Sequence, residues 1–199
     1  MTFARLVLAA TNTESLPDAT EFELPPRHVA LGLVRCYIVN IYALFPCFSE
    51  TALHSILDDV YRQDERVIKH SDYFSFFLIL GIGSTAQSQG SYDEFYGNGL
   101  KFVSKAMEYA DRALAPGFVT QIQSLLLLTQ YSLLNPTHFD SWHLIGFTTR
   151  AINDLGLHQD PPVKSVPDKN VLDMRRKMFW CAYSLDRYVI LRYPMSSRI

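Results

Sequence analysis

Cysteine is scarce in this chain and never paired. The three present, Cys36, Cys47 and Cys181, are far apart and form no Cys-x-x-Cys arrangement. That excludes a thiolate zinc site and a disulfide framework, and leaves packing as small buried hydrophobes. An excess of one charge is lacking too. Formal net charge is -2 with a pI near 6.3, and the tightest basic run is Arg175-Arg176-Lys177, inside a helical pattern. Phosphate-backbone binding needs clustered Lys and Arg, so direct sequence-specific DNA reading by this segment is not expected. The basic run reads as a helix flank in preference to a nuclear-import signal. Long apolar runs are missing: the longest, Ser124 to Leu134, is interrupted by Thr129, Gln130 and Ser132, so nothing is expected to enter a membrane. Residues 3–10 are apolar apart from Arg5, too short and without a persuasive cleavage site for a signal peptide. No segment alternates with period two for long, and no repeat period shows, which argues against strands and against a regular solenoid.

What is present is apolar. Hydrophobic residues make up 48% of the 199 and charged residues 19%, enough for one domain with a real core and with apolar surface to spare for a partner. Residues 1–28, with Pro17, Pro25 and Pro26, read as an extended, poorly ordered lead-in, and 29–199 as the domain. Helical spacing runs from Val29 until Pro46 stops it. Ser49 caps a second helix, with Leu53, Ile56, Leu57 and Val60 on its inner face. A third covers Tyr73 to about Ser88, a fourth Phe95 to Leu114, and a fifth, apolar on every side and so central, Phe118 to Leu134. Asp140 or Ser141 caps the sixth, whose inner face is expected to hold Trp142, Ile145, Thr149, Ile152 and Gly156; Gly156 also sits where a left-handed C-terminal cap is wanted, with Leu157 as its apolar contact. The seventh runs from about Asp168 to Tyr193. The fold class is all-α: about seven helices in antiparallel pairs, an irregular helical array.

Candidate chemistry is thin. Asp58-Asp59 and Asp64-Glu65 invite a magnesium-binding helix, but their spacing turns the second pair around the helix axis, and a solvated helix end accounts for them. His138 and His143, five apart across a helix start, do not share a face as i, i+4 metal ligands do, and His158 does not complete a set. Gly81-Ile82-Gly83 has no following Lys and suits close helix packing better than a phosphate loop. No catalytic residue, metal ligand or cofactor is assigned to this chain.

Two motifs stand out by their spacing. The first holds Trp142, Gly146, Arg150, Ala151 and Asp154-Leu155-Gly156-Leu157-His158; the second holds Arg175-Arg176, Phe179-Trp180, Tyr183 and Asp186-Arg187. Together they resemble the regulatory middle-homology domain of fungal zinc binuclear cluster transcription factors. Tyr42-Ala43-Leu44-Phe45-Pro46-Cys47-Phe48 and Leu80 to Ala86 resemble its earlier segments more weakly. The resemblance implies a non-enzymatic helical domain in the nucleus that regulates through protein contacts or a small-molecule effector, while zinc belongs to a six-cysteine DNA-binding cluster not found in these residues. In the family, the stretch after Asp186-Arg187 usually continues to a Gly-Arg-Pro-like turn. Here Leu191-Arg192-Tyr193-Pro194-Met195 lacks that Gly, and the resemblance implies the N-terminal half of the domain. The alternatives are a stand-alone helical protein that pairs with a full-length regulator and, remotely, an all-α metal-dependent enzyme.

The last helix has two faces. Val171, Met174, Met178, Cys181, Ala182, Leu185 and Val189 form a core stripe. Arg176, Trp180, Tyr183 and Arg187 lie opposite, where a solvated face would carry Lys and Glu; these are residue types enriched at interface hot spots. This face is expected to be covered by a protein partner or by the missing C-terminal half of the domain. Arg176 and Trp180 lie at i, i+4, where a cation–π contact can form. Arg150, with Asp154, is expected to dock the sixth helix on the last through Asp186 or Arg187.

Overall fold

The computed structural model describes residues 2–17, 22–62, 68–90, 93–161 and 168–192. Among them are nine α-helices: α1 (Phe3–Thr11), α2 (Arg27–Tyr37), α3 (Glu50–Tyr61), α4 (His70–Thr85), α5 (Glu94–Met107), α6 (Ala110–Ala113), α7 (Val119–Leu134), α8 (Ser141–Asp154) and α9 (Lys169–Arg192). A π-helical turn, Ile38–Tyr42, extends α2. The only extended pairing among the described residues is an isolated bridge between Asn12 and Phe139. The class is all-α.

Two helices form the centre. α4 is buried continuously from Phe74 to Ser84, and α7 from Gln121 to Ser132 with one intermediate position, Gln123. Such all-round burial is what a helix without a polar face must find. α4 packs on α2, α3, α5, α6 and α7, and α7 packs on α8 and α9. Gly81 and Gly83 allow the close approaches: a Cβ on Gly83 would run into the Leu33 carbonyl of α2, and one on Gly81 would lie 2.6 Å from Val103 Cγ2 of α5. Several helix starts follow from short polar caps. Ser49 Oγ accepts from the Ala52 N–H, Asp93 from Tyr96 N–H and Asp140 from Trp142 N–H.

Four expectations need correction. The lead-in is not wholly extended: Phe3–Thr11 is a helix capped by Thr2, with Ala4, Val7 and Thr11 buried at helical spacing and the Phe3 ring edge-on to Phe147 of α8. The helix expected over Phe95–Leu114 breaks at Glu108-Tyr109 into α5 and α6, where Tyr109 stacks on Tyr73 with ring centroids 5.0 Å apart. The buried face of α8 is turned from the expected one: Ser141, Leu144, Ile145, Thr148, Ala151 and Ile152 point inward while Thr149 is exposed. The Thr148 and Thr149 hydroxyls each donate to the carbonyl four residues back, so neither position's polarity decides the face. On α9 the stripe holds at Met178, Cys181, Ala182, Leu185 and Val189, but Val171 is exposed, since the first turns overhang the core. Asp64-Glu65 and Tyr193-Pro194-Met195 lie outside the described residues, as does part of the lead-in.

Candidate functional site

The two sequence motifs meet at the end of α8. Gly156 adopts φ +64°, a left-handed conformation that costs glycine no Cβ clash. The Leu157 N–H donates to Ile152 O at 2.9 Å and the Gly156 N–H to Asn153 O at 3.0 Å. This is the double hydrogen bond of a Schellman cap, and the apolar residue after the glycine, Leu157, is buried as that motif requires. The Gly156 carbonyl then accepts from Arg175 Nη2 of α9 at 3.0 Å. The next residue of α9, Arg176, grips Asp160 with two bonds, Nε to Oδ1 at 3.1 Å and Nη2 to Oδ2 at 2.7 Å. That ion pair holds the Asp160 carboxyl below the usual carboxylate range, although both partners are exposed.

This use of Arg176 takes the place of the cation–π contact that its spacing from Trp180 allows, because a bidentate carboxylate satisfies the guanidinium fork better than a ring face. The contact that forms is Arg187 over Tyr183, 5.4 Å from guanidinium to ring centroid. Trp180 instead lies edge-on between Phe179 and Tyr183, at 5.3 and 5.6 Å. The expected docking of α8 on α9 through Arg150 is also corrected. Among the described residues no ion pair joins Arg150 to Asp154 or Asp186, and Asp186 pairs with its neighbour Arg187. Arg175 does the docking. Arg150, Asp154, His158 and Gly146 face outward, while Trp142, Leu155 and Phe179 are partly buried. His138 Nδ1 lies 3.4 Å from Glu14 O, and His143 bonds the cap residue Asp140.

The outer face of α9 borders a groove of about 530 Å³. Leu44 and Pro46 form one wall, Trp180 the other, Arg176 and Lys177 the rim, and Cys181 the floor. Trp180 is 59% exposed, Tyr183 48% and Leu44 67%, whereas Met178 and Leu185 on the other face of α9 are 1% and 0%.

Beneath the groove lies a polar cluster that sequence reasoning passed over. Gln130 of α7 is buried; its Oε1 accepts from Tyr37 Oη at 3.1 Å, and its Nε2 donates to Phe45 O at 3.2 Å. The same nitrogen reaches Cys47 Sγ at 3.7 Å and Cys181 Sγ at 3.9 Å. Burial drives the Tyr37 hydroxyl well above its ordinary pKa, and the bond to Cys47, with burial, does the same to the Cys181 thiol. Both groups are therefore neutral structural partners. The available signal was an amide, Gln130, following the four consecutive leucines at the centre of α7. Asp58, the first acidic residue of the tempting run, is spent on Arg27 at 2.5 Å.

A family model described as the fungal specific transcription factor domain matches residues 34–195. Over 124 residues the chain is 30% identical to Pyrimidine pathway regulatory protein 1 of Saccharomyces cerevisiae, covering 60% of this chain and 13% of that protein. It is 25% identical over 160 residues to Lactose regulatory protein LAC9 of Kluyveromyces lactis, covering 80% and 17%. With the Positive regulator of purine utilization of Emericella nidulans it shares 21% identity, covering 93% of this chain and 24% of that protein. The chain thus spans less than a quarter of the length of these three relatives. No solved structure matches.

Proposed function

This chain belongs to the fungal specific transcription factor domain family, and from that premise we propose that it is the regulatory, non-DNA-reading part of a nuclear transcription regulator. Its relatives are transcription regulators, which favours neither an enzyme nor a stand-alone pairing protein. The observation that carries the proposal is the asymmetry of α9. One face is built into the core, and the other presents Trp180 and Tyr183, large aromatics about half exposed, beside a groove. Aromatic and Arg side chains in that setting are the usual anchors of a protein interface. The occupant is a protein partner or a further part of the same regulator.

Zinc, which the family implies, does not fit the cysteines described here. Cys47 and Cys181 are buried against Gln130, and Cys36 accepts from Asn40 within its own helical segment. We therefore assign the zinc that the family implies to a different segment of the regulator. The test is to tether the chain between a heterologous DNA-binding domain and an activation segment and measure reporter output. The proposal expects the chain to change output, and Trp180→Ala with Tyr183→Ala to cancel the change. Output indifferent to the chain would refute it.

A further inference from the structure

A second cavity lies among α2, α4 and α5, lined by no residue of α7 or α9. It holds about 310 Å³ and is walled by the strap of residues 22–25, the start of α2, the end of α4 and the outer face of α5. That volume is at the small end of the range, ~300–1,000 Å³, over which proteins take small molecules. The floor is Leu33, Phe102 and Ser84, all buried; the walls include Val29 and Phe95, 41% and 45% exposed. Those two apolar side chains border one cavity, so their exposure is shared and concave, not scattered.

The strap is held in place without a ligand. Phe22 sits edge-on to Phe77 and Phe102, at 5.3 and 5.9 Å, with Lys105 Nζ 5.7 Å from its centroid. At its other end the Pro25 carbonyl accepts from the Tyr61 hydroxyl at 2.5 Å. α5 presents Phe95, Asn98 and Lys101 at helical spacing along one side. Three polar residues line the hollow beside its apolar ones: Lys101 and Asn98 from α5, and Glu23 from the strap. Ser84 is already committed, donating to Phe95 O at 2.7 Å.

We infer that this cavity is a small-molecule effector site whose ligand is amphoteric, an apolar or aromatic body carrying both a carboxylate and an ammonium group, as in a bulky apolar α-amino acid. The floor and walls take the body, Lys101 with Asn98 takes the carboxylate, and Glu23 takes the ammonium. Opposite charges on the two rims select against ligands that carry only one. The inference rests on the regulatory reading above, since an effector site is of use only to a regulated protein.

The experiment is an NMR titration of the ¹⁵N-labelled chain with three probes: L-phenylalanine, phenylacetate, which lacks the ammonium, and phenethylamine, which lacks the carboxylate. The expected result is saturable shifts from L-phenylalanine confined to amides near residues 22–33 and 84–102. Each half-ligand should bind about tenfold more weakly, the loss of one charged contact. Lys101→Ala and Glu23→Ala, at exposed positions, should each reduce affinity for L-phenylalanine without lowering the melting temperature. No saturation by ~10 mM, well above the weakest affinities of interest, overturns the inference. So do shifts centred elsewhere, or either half-ligand binding as tightly as the whole. Because the readout is binding alone, failure here leaves the tethered-reporter result standing, and failure of the reporter leaves the binding result standing.

Discussion

Arg175 donates to the carbonyl of Gly156 at 3.0 Å, tying the first third of α9 to the turn that ends α8. The bond needs both residues to be what they are. Only a left-handed Gly156, φ +64°, turns the chain so that its carbonyl meets α9, and only a long fork-shaped donor reaches it from there. The two motifs that stand out in the sequence are thus two halves of one joint, and the joint sets where the outer face of α9 points.

Arg175→Ala should destabilise the chain by about 2 kcal/mol, the range for a hydrogen bond made by a charged group. Arg175→Lys should recover only part of it, because a point ammonium lacks the guanidinium geometry. Urea unfolding of the three proteins checks this.

Three glycines should respond differently to the same change. Gly156→Ala should cost ~1 kcal/mol or more for a left-handed residue with a Cβ. Gly83→Ala should cost about 1–3 kcal/mol, since its Cβ would meet the Leu33 backbone. Gly146→Ala, with nothing within 4 Å of its Cβ, should be neutral or stabilising by up to ~1 kcal/mol. If it also alters reporter output, Gly146 contributes to contacts outside this chain. Thermal unfolding of the set orders them.

Gln130→Leu keeps the volume of the buried amide but orphans the Phe45 carbonyl and nearly orphans the Tyr37 hydroxyl, which keeps only the 3.9 Å contact with Cys47 Sγ, and should cost about 1–3 kcal/mol. Adding Tyr37→Phe should restore part of that, because one orphan disappears. A double-mutant cycle with no coupling would show that the two side chains do not depend on each other.

Stability should depend on pH through Asp140. Burial opposes its ionisation, but the His143 ring and the Trp142 N–H outweigh it and lower its pKa. A carboxylate lowered in the folded state contributes stability above its unfolded value of ~3.9 and loses it as pH falls through the folded value. Asp140→Ala should therefore cost ~1 kcal/mol at pH 7, with the gap to the parent closing below pH ~4. Asp140→Asn, itself a good cap, should cost less at pH 7. Urea midpoints at pH 7, 5 and 3 decide it.

Much of the fold was legible because the signals were local. Ser49 and Asp140 announce helix starts by their capping chemistry, Pro46 ends a run, and α7 is apolar all round. What was not legible depended on partners distant in sequence. α1 looks like a frayed end until Phe147, far along the chain, supplies a surface for Phe3. The inward face of α8 could not be told from two adjacent threonines that both bond their own backbone. Among the motif residues, Gly156 and Leu157 were readable as a cap, since φ, spacing and apolarity are local. The choice of Arg176 between Trp180 and Asp160 was not, because Asp160 comes from the far side of the α8–α9 connection.

The most direct test of the central claim, that the outer face of α9 is kept for contacts beyond this chain, is Trp180→Ala read twice, once by urea unfolding and once in the tethered reporter. The expected result is a change in stability within about 0.5 kcal/mol, as for a surface position, together with loss of the chain's effect on the reporter. A loss of more than ~3 kcal/mol, the cost of removing a core aromatic, or an unchanged reporter effect in a stable variant, would contradict it.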